Sequence, residues 1–256
     1  MNPVRQSFNR AASSYDAVGD LQHQVATSLT AFIKTKLSAD FDGHLLDAGC
    51  GTGYCLGQLV PSYPAAKFIA VDFAERMLQQ LPTALRALGI NANLENLPVC
   101  TGKIDTYLSS LAWQWCDATR AAKEAARVLK PQGELFVATL VTGTFQELAH
   151  GLQACGLNPD QHLLRCTSRA QIQSALEAAD IEVLTLSVTR ITTWHTDFSA
   201  LRRSIRGVGA NHLPQQTTPA LNRQTRMQLI EAYEGLRTAR GLPLSYEVLT
   251  IHARKR

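Results

Sequence analysis

The sequence predicts an α/β fold, a mainly parallel sheet with helices on both faces. Three observations predict it. Short apolar runs alternate with segments whose apolar residues recur three and four apart, the first run ends in a glycine-rich loop, and two β-branched runs follow late in the chain. Strands are expected at 44–48, 67–72, 91–95, 104–110 and 134–140, then at 181–194 and 245–253, which makes seven. Helical patterns fill 52–60, 74–88 and 118–129, and Lys130-Pro131-Gln132-Gly133 stops the last of them. Two more helices are expected at 144–155 and 168–179.

The rest of the chain arranges itself around that sheet. Residues 1–40 read as helix in two pieces, broken near Val18-Gly19-Asp20, and form an N-terminal lid segment. Residues 41–194 make the ligand-binding core. Residues 195–243, helical around 198–207 and 223–240, form a cap inserted before the last strand, and 244–256 supply that strand and a basic tail. With 256 residues, 45% hydrophobic and 18% charged, the chain can bury a core and is neither a stapled mini-protein nor a disordered chain. Its start lacks the apolar core of a signal peptide, and no run approaches the roughly 18 apolar residues of a membrane helix, so a soluble cytoplasmic protein is expected. The six cysteines include no CxxC and the seven histidines no HExxH; reduced, mostly buried thiols and no metal site are expected. Charge is uneven. Residues 190–256 hold 11 Lys+Arg against 4 Asp+Glu, whereas 1–189 hold 14 against 17, so an acidic partner or a solvated basic face is expected late in the chain.

Chemistry concentrates at Leu45-Leu-Asp-Ala-Gly49-Cys-Gly51-Thr-Gly53, an apolar strand ending in alternating glycines that opens a helix. Glycine lets backbone approach a ligand closely, and the helix start offers free N–H groups. A dinucleotide fingerprint would need GxGxxG; here the third glycine falls one residue early and Tyr54 follows it, which weakens that reading. Asp72 ends the second strand, where a carboxylate can accept both hydroxyl protons of a ribose; a helix cap is the alternative for Asp72 alone. Phe73 and Leu94 could sandwich an adenine ring, with the Asn93 amide at the ring's edge.

LLDAGCGTG, IAVDFAERML, NLENLP and ARVLKPQGEL, in that order over about residues 40–142, resemble the class I S-adenosylmethionine-dependent methyltransferases. The resemblance implies a Rossmann-like methyltransferase sheet of seven strands with a reversed last strand. It implies S-adenosylmethionine as cofactor, with Asp47, Gly49 and Gly51 at the methionine end, Asp72 at the ribose, and Asn93 and Leu94 at the adenine. Asn93 stands where the family often has Asp. Tyr15, Gln22, Gly53, Phe73, Met77, Ser109 and Leu111 complete the expected cofactor site.

A narrower resemblance covers almost the whole chain. FNRAASSYD at 8–16, Leu21-Gln22, LAWQWC at 111–116, SIRGVGANH at 204–212 and GLPLSYEV at 241–248 look like the malonyl-[acyl carrier protein] O-methyltransferases of biotin synthesis. Ser109-Ser110 stand where that family usually has Asn before LAxQW, and Arg206 replaces a commoner Lys. The resemblance implies methyl esterification of the free carboxyl of a malonyl thioester. A carboxylate oxygen is anionic at neutral pH, so positioning and not a general base supplies the rate, and the absence of a Ser-His-Asp or paired-carboxylate motif is expected. Arg203 and Arg206, three apart on one helical face, are the candidate donors to the malonyl carboxylate, and with Arg202 they could steer an acidic carrier protein. Tyr15 is assigned to catalysis with Arg203, closing over the cofactor. His212 and Trp113 are assigned to the acceptor; Trp113 and Trp115 alternate, so one faces the pocket and the other the core. The acceptor is malonyl-acyl carrier protein or malonyl-coenzyme A, bound by a monomer without nucleic acid or membrane. Rival readings are methylation of another small acid or a quinone, a nucleic-acid methyltransferase, which the few aromatics and the lack of an NPPY-like motif disfavour, and a non-catalytic cofactor-binding adaptor.

Overall fold

In the computed structural model, which describes residues 3–207 and 221–256, the apolar runs do assemble side by side. β1 (His44–Ala48) lies mid-sheet between β2 (Lys67–Asp72) and β4 (Ile104–Ser110), with β3 (Leu88–Asn91) beyond β2 and β5 (Leu129–Leu140) beyond β4. All five run parallel. β7 (Leu242–Lys255) pairs antiparallel with β5 and with the edge strand β6 (Ile181–His195), so the order is β3-β2-β1-β4-β5-β7-β6. The expected seven strands and the reversed last strand are both present.

Period-two alternation divides the core. Leu45 faces one side with Leu29 and Ile33 of α3 (Asp20–Lys34) and Leu56 of α4 (Tyr54–Leu59). Leu46 faces the other, with Val71 and a row of alanines from α6 (Ala118–Val128). Ala121, Ala122 and Ala125 are fully buried, which lets α6 lie close against the sheet. α7 (Gln146–Ala154) covers the first face, and α8 (Arg169–Ala178), started by a Ser168–Gln171 capping box, covers the second.

Several elements differ from expectation. The helix expected over 74–88 is only α5 (Glu75–Leu78) and a short turn at Thr83–Leu85, because Pro82 interrupts the pattern and Arg86 turns the chain left-handed at φ 51°. The chain therefore reaches the sheet edge early: the third strand is Leu88–Asn91 and not 91–95, and Asn93 and Leu94 stand in the turn beyond it. Lys130–Gly133, expected as a stop, belong to β5, with Gln132 at φ 62° carrying the bend. The N-terminal segment has three pieces and not two, α1 (Pro3–Ala11), α2 (Tyr15–Val18) and α3, with a second break before Tyr15.

Between β6 and β7 stand α9 (Phe198–Gly207) and α10 (Arg223–Glu234), shorter than the 223–240 expected. They join the first-face core through Phe198, Leu201, Leu229 and Tyr233, with the Phe198 and Tyr233 rings 5.4 Å apart. The Tyr233 hydroxyl donates to Pro243 O at 2.6 Å and Arg237 donates to Thr196 O at 2.9 Å, tying both ends of the segment to β6 and β7.

Candidate active site

The carboxyl ends of β1, β2 and β4 meet at one edge, where open α/β sheets bind ligands. After Ala48 the backbone turns sharply, with Gly49 at φ 81° and Gly51 at φ 54°, and both Gly49 N and Cys50 N donate to Val71 O. A side chain at Gly49 would collide with Ala112. Gly51 N donates to Asp72 Oδ2 at 2.9 Å and Ala74 N to Asp72 Oδ1 at 2.8 Å, so the carboxylate at the end of β2 braces the loop while each oxygen keeps a lone pair. Gly53 opens α4 against Leu81 and Leu85 and serves the turn only.

A cavity of about 130 Å³ lies over this loop, walled by Gly49, Gly51, Asp72, Phe73, Met77, Asn93 and Leu94, with Phe8, Tyr15, Ser110, Leu111, Ala112, Trp115 and Cys116 closing it. A smaller cavity of about 40 Å³ lies on the other side of the loop, lined by Asp47, Gly49, Gly51, Tyr15, Gln22 and His23 among others. Asp47 is 1% exposed, and neither of its carboxylate oxygens has a hydrogen-bond partner. Burial, and then the charge of Asp72, push its carboxyl up to about 8; burial pushes Asp72 up to about 6 against the two backbone N–H groups that favour its ionised form. The residues fit S-adenosylmethionine. The orphaned Asp47 needs a cation such as an amino-acid ammonium, Asp72 offers acceptors to a ribose diol, and Phe73, Met77 and Leu94 offer apolar walls to a purine.

Beside the cleft is a chamber of about 680 Å³, reached across Phe8, Tyr15, Leu111 and Trp115, which line both. Leu111 has φ 52°, a costly conformation for leucine, held by its N–H to Ala138 O at 2.8 Å, and its side chain stands at the junction. The chamber's far walls are Trp194, His195, Arg203 and Tyr246, supplied by β6, α9 and β7. Burial holds the His195 imidazole below its ordinary value, and its Nε2 lies 2.9 Å from Thr193 Oγ1. Tyr15 borders the cleft, the chamber and the small cavity; burial first, then Asp72 and Asp16, raise its phenol, so it is a neutral donor. A separate depression of about 980 Å³ beside α6 and α8 shares Glu95, Trp115 and Cys116 with the cleft but contains none of the glycine loop.

Most residues singled out in the sequence meet here, and some do not. Trp113 is 2% exposed, with its indole N–H donating to Tyr107 Oη at 3.3 Å, so it is a core residue and Trp115 is the one at the pocket. Residues 113–115 form a short 3₁₀ turn and not a strand, which voids the alternation argument. Ser109 is fully buried and donates to Ala48 O at 2.6 Å, clamping β4 to β1; Ser110 is the cleft residue. Gln22 lines the chamber and the small cavity. The Arg206 side chain and His212 lie outside the described residues. Phe8, Ser110, His23, Trp194, His195 and Tyr246 received no site role from the sequence; Phe8, Ser110 and Tyr246 lay inside the quoted motif stretches, whereas His23, Trp194 and His195 carry no local pattern. All six cysteines are free, but only Cys50 and Cys55 are buried. Among the described residues no His, Cys, Asp and Glu cluster could hold a metal, and no helix is long and apolar enough to cross a membrane.

Comparison with known proteins agrees with this geometry. A family model described as a methyltransferase domain matches residues 46–137. Over 253 residues, 98% of this chain and 94% of the relative, the sequence is 36% identical to malonyl-[acyl-carrier protein] O-methyltransferase of Dechloromonas aromatica (strain RCB). It is 35% identical to the protein of the same name from Herminiimonas arsenicoxydans, over 97% of this chain and 94% of that one. Among solved structures, a Bacillus halodurans C-125 protein described as a methyltransferase superposes with a TM-score of 0.64 at 16% identity, over 90% of this chain and 99% of the other, and so shares the fold. The chain belongs to the malonyl-[acyl-carrier protein] O-methyltransferase family of S-adenosylmethionine-dependent methyltransferases.

Proposed function

We propose that the chain transfers the methyl group of S-adenosylmethionine to the free carboxylate of a malonyl thioester on an acyl carrier protein, forming the methyl ester used in biotin synthesis. The observation that carries this reading is the chamber that shares Phe8, Tyr15, Leu111 and Trp115 with the cofactor cleft and has Arg203 on its wall. Bound S-adenosylmethionine supplies an electrophilic methyl on a sulfonium. The shared aromatic wall excludes water from the line between the two cavities, and Tyr15 donates its hydroxyl there. Arg203, with Arg206 on the same helix, holds the carboxylate oxygen that does not react, and His212 contacts the acceptor. The attacking oxygen is already ionised, so no residue has to remove a proton. The cofactor side is assigned to Asp47, Gly49, Gly51, Asp72, Phe73, Met77, Asn93, Leu94 and Leu111, with Gln22 at the methionine end. In this reading 1–40 act as lid and 195–243 as acceptor cap on the core formed by 41–194 and 244–256, in a cytoplasmic monomer that works on neither nucleic acid nor membrane.

The test is intact-protein mass spectrometry of malonyl-acyl carrier protein incubated with the enzyme and S-adenosylmethionine, with acetyl-acyl carrier protein and malonyl-coenzyme A in parallel. The expected result is one added methylene mass on the malonyl carrier and none on the acetyl carrier. Arg203→Ala is expected to raise KM for the malonyl acceptor about 10- to 100-fold, the effect of an unpaired carboxylate, and to leave the cofactor Kd unchanged. Collapse of cofactor binding would remove Arg203 from that role. A second reading, base-assisted methylation of a hydroxyl or ring carbon, is favoured by His195, a neutral imidazole on the chamber wall. It requires His195→Ala to abolish turnover, whereas carboxylate methylation survives that change.

A further inference from the structure

The small cavity beside the glycine loop is lined by two side chains whose buried polar atoms make no hydrogen bond. On the β1 side stand the two bare oxygens of Asp47. On the α3 side stands His23, whose Nε2 is also buried and makes no hydrogen bond. The nearest acid, Asp16 Oδ1, is 3.6 Å from that nitrogen and already accepts the Thr52 hydroxyl at 2.7 Å. The His23 ring is fixed by stacking on Tyr54, with centroids 4.1 Å apart and planes at 17°. We infer that His23 donates from Nε2 to the carboxylate of the cofactor's amino-acid end while Asp47 receives its ammonium.

A buried polar atom with no partner costs free energy, and two within one cavity mark a ligand that supplies both complements. An α-amino acid head is such a ligand, carrying one cation and one anion two bonds apart. Its orientation is fixed by Asp47: the carboxylate of the head group beside Asp47 would set an anion against an anion, so the ammonium goes to Asp47 and the carboxylate to His23. The ribose and purine are left to Asp72 and the larger cleft, so the sites divide the molecule into independently testable parts.

The inference rests on S-adenosylmethionine as cofactor, and the test separates the two. Calorimetry with the full chain measures Kd for three probes: S-adenosylhomocysteine, which has both head groups; decarboxylated S-adenosylmethionine, which keeps only the ammonium; and 5′-methylthioadenosine, which has neither. His23→Phe retains a ring on Tyr54 and removes the donor. It is expected to weaken S-adenosylhomocysteine by about 10- to 100-fold, the range for hydrogen bonds to charged groups, and to leave the other two probes within about twofold. His23→Gln, with an amide N–H, is expected to recover part of the loss. Asp47→Asn should weaken both amine-bearing probes and spare 5′-methylthioadenosine. Equal weakening of all three probes in His23→Phe, or no change in S-adenosylhomocysteine, would overturn the assignment to His23. Wild-type protein that bound none of the three would overturn the cofactor reading and this inference with it.

Discussion

Asp47 has the strongest pH signature in the site. In the free protein its carboxyl stays protonated up to about pH 8, far above its usual value of 3.8, because burial penalises the charge. The unfolded chain has already released that proton above about pH 4, so the free protein loses stability as pH rises from about 4 to about 8. An ammonium at Asp47 favours the carboxylate and reverses the preference. Cofactor binding at pH 7 is therefore expected to release close to one proton and to tighten as pH rises towards 8; calorimetry in buffers of different ionisation heat measures this, and Asp47→Asn should remove the release. Asp47, Gly49, Gly51 and Asp72 were legible in the sequence because a strand end followed by alternating glycines fixes where they stand. Trp113 was not, because a three-residue turn lacks the two-residue period that would have told the two tryptophans apart, and the indole of Trp113 satisfied its N–H inside the core. Ser109 and Ser110 exchanged roles for a similar reason: the hydroxyl of Ser109 is used within the sheet.

At the scale of elements, the segment after β3 shows what a strand assignment misses. Asn93 and Leu94 sit in a turn where Glu95 N donates to Asn93 Oδ1 at 3.0 Å and Asn96 N to Asn93 O at 2.9 Å, and no sheet ladder holds them. What holds the segment is α6. Arg127 donates to Leu97 O at 3.0 Å and Val99 O at 2.8 Å while gripping Glu124, and Glu124 in turn accepts from Leu97 N at 2.6 Å. Glu95 Oε1 accepts from Asp117 N at the start of the same helix. Arg127→Ala is expected to cost about 2 kcal/mol, a fall of about 4–8 °C in Tm, and to raise the cofactor Kd several-fold with little change in acceptor KM. Equal effects on both ligands would argue for general unfolding. The existence of α6 was plain from its apolar spacing and from Asp117 at its start, but this second use of its polar face was not, because carbonyls offered by a loop leave no trace in sequence.

Across the whole molecule, the order of elements was readable and their convergence was not. The α1–α2 segment lies over the cofactor cleft through three polar ties, Arg5 to Asn91 at 3.1 Å, Asn9 to Arg76 N at 2.9 Å and Thr52 to Asp16 at 2.7 Å, and through Phe8 against Trp115 and Phe73. Hydrogen exchange is expected to slow several-fold over residues 3–18 when S-adenosylhomocysteine binds, with little change in β5 and β7; unchanged exchange there would deny the segment a closing role. Part of the late surplus of positive charge, read as meeting an acidic partner or as a solvated face, is used within the fold: Arg190 pairs with Glu247, Arg237 with Glu234 and Arg254 with Glu134, and Arg240 lies 4.6 Å over Trp194. The direction of β7 sets where the chain ends. Its Tyr246 stands at the chamber, and because the strand runs against β5, the nine residues that follow carry the chain about 30 Å away by Lys255. A purification handle, surface linker or fused protein joined at residue 256 would thus hang from the opposite pole of the molecule and leave both cavities facing open solution, whereas the same addition ahead of α1 would sit on the cover of the cofactor cleft.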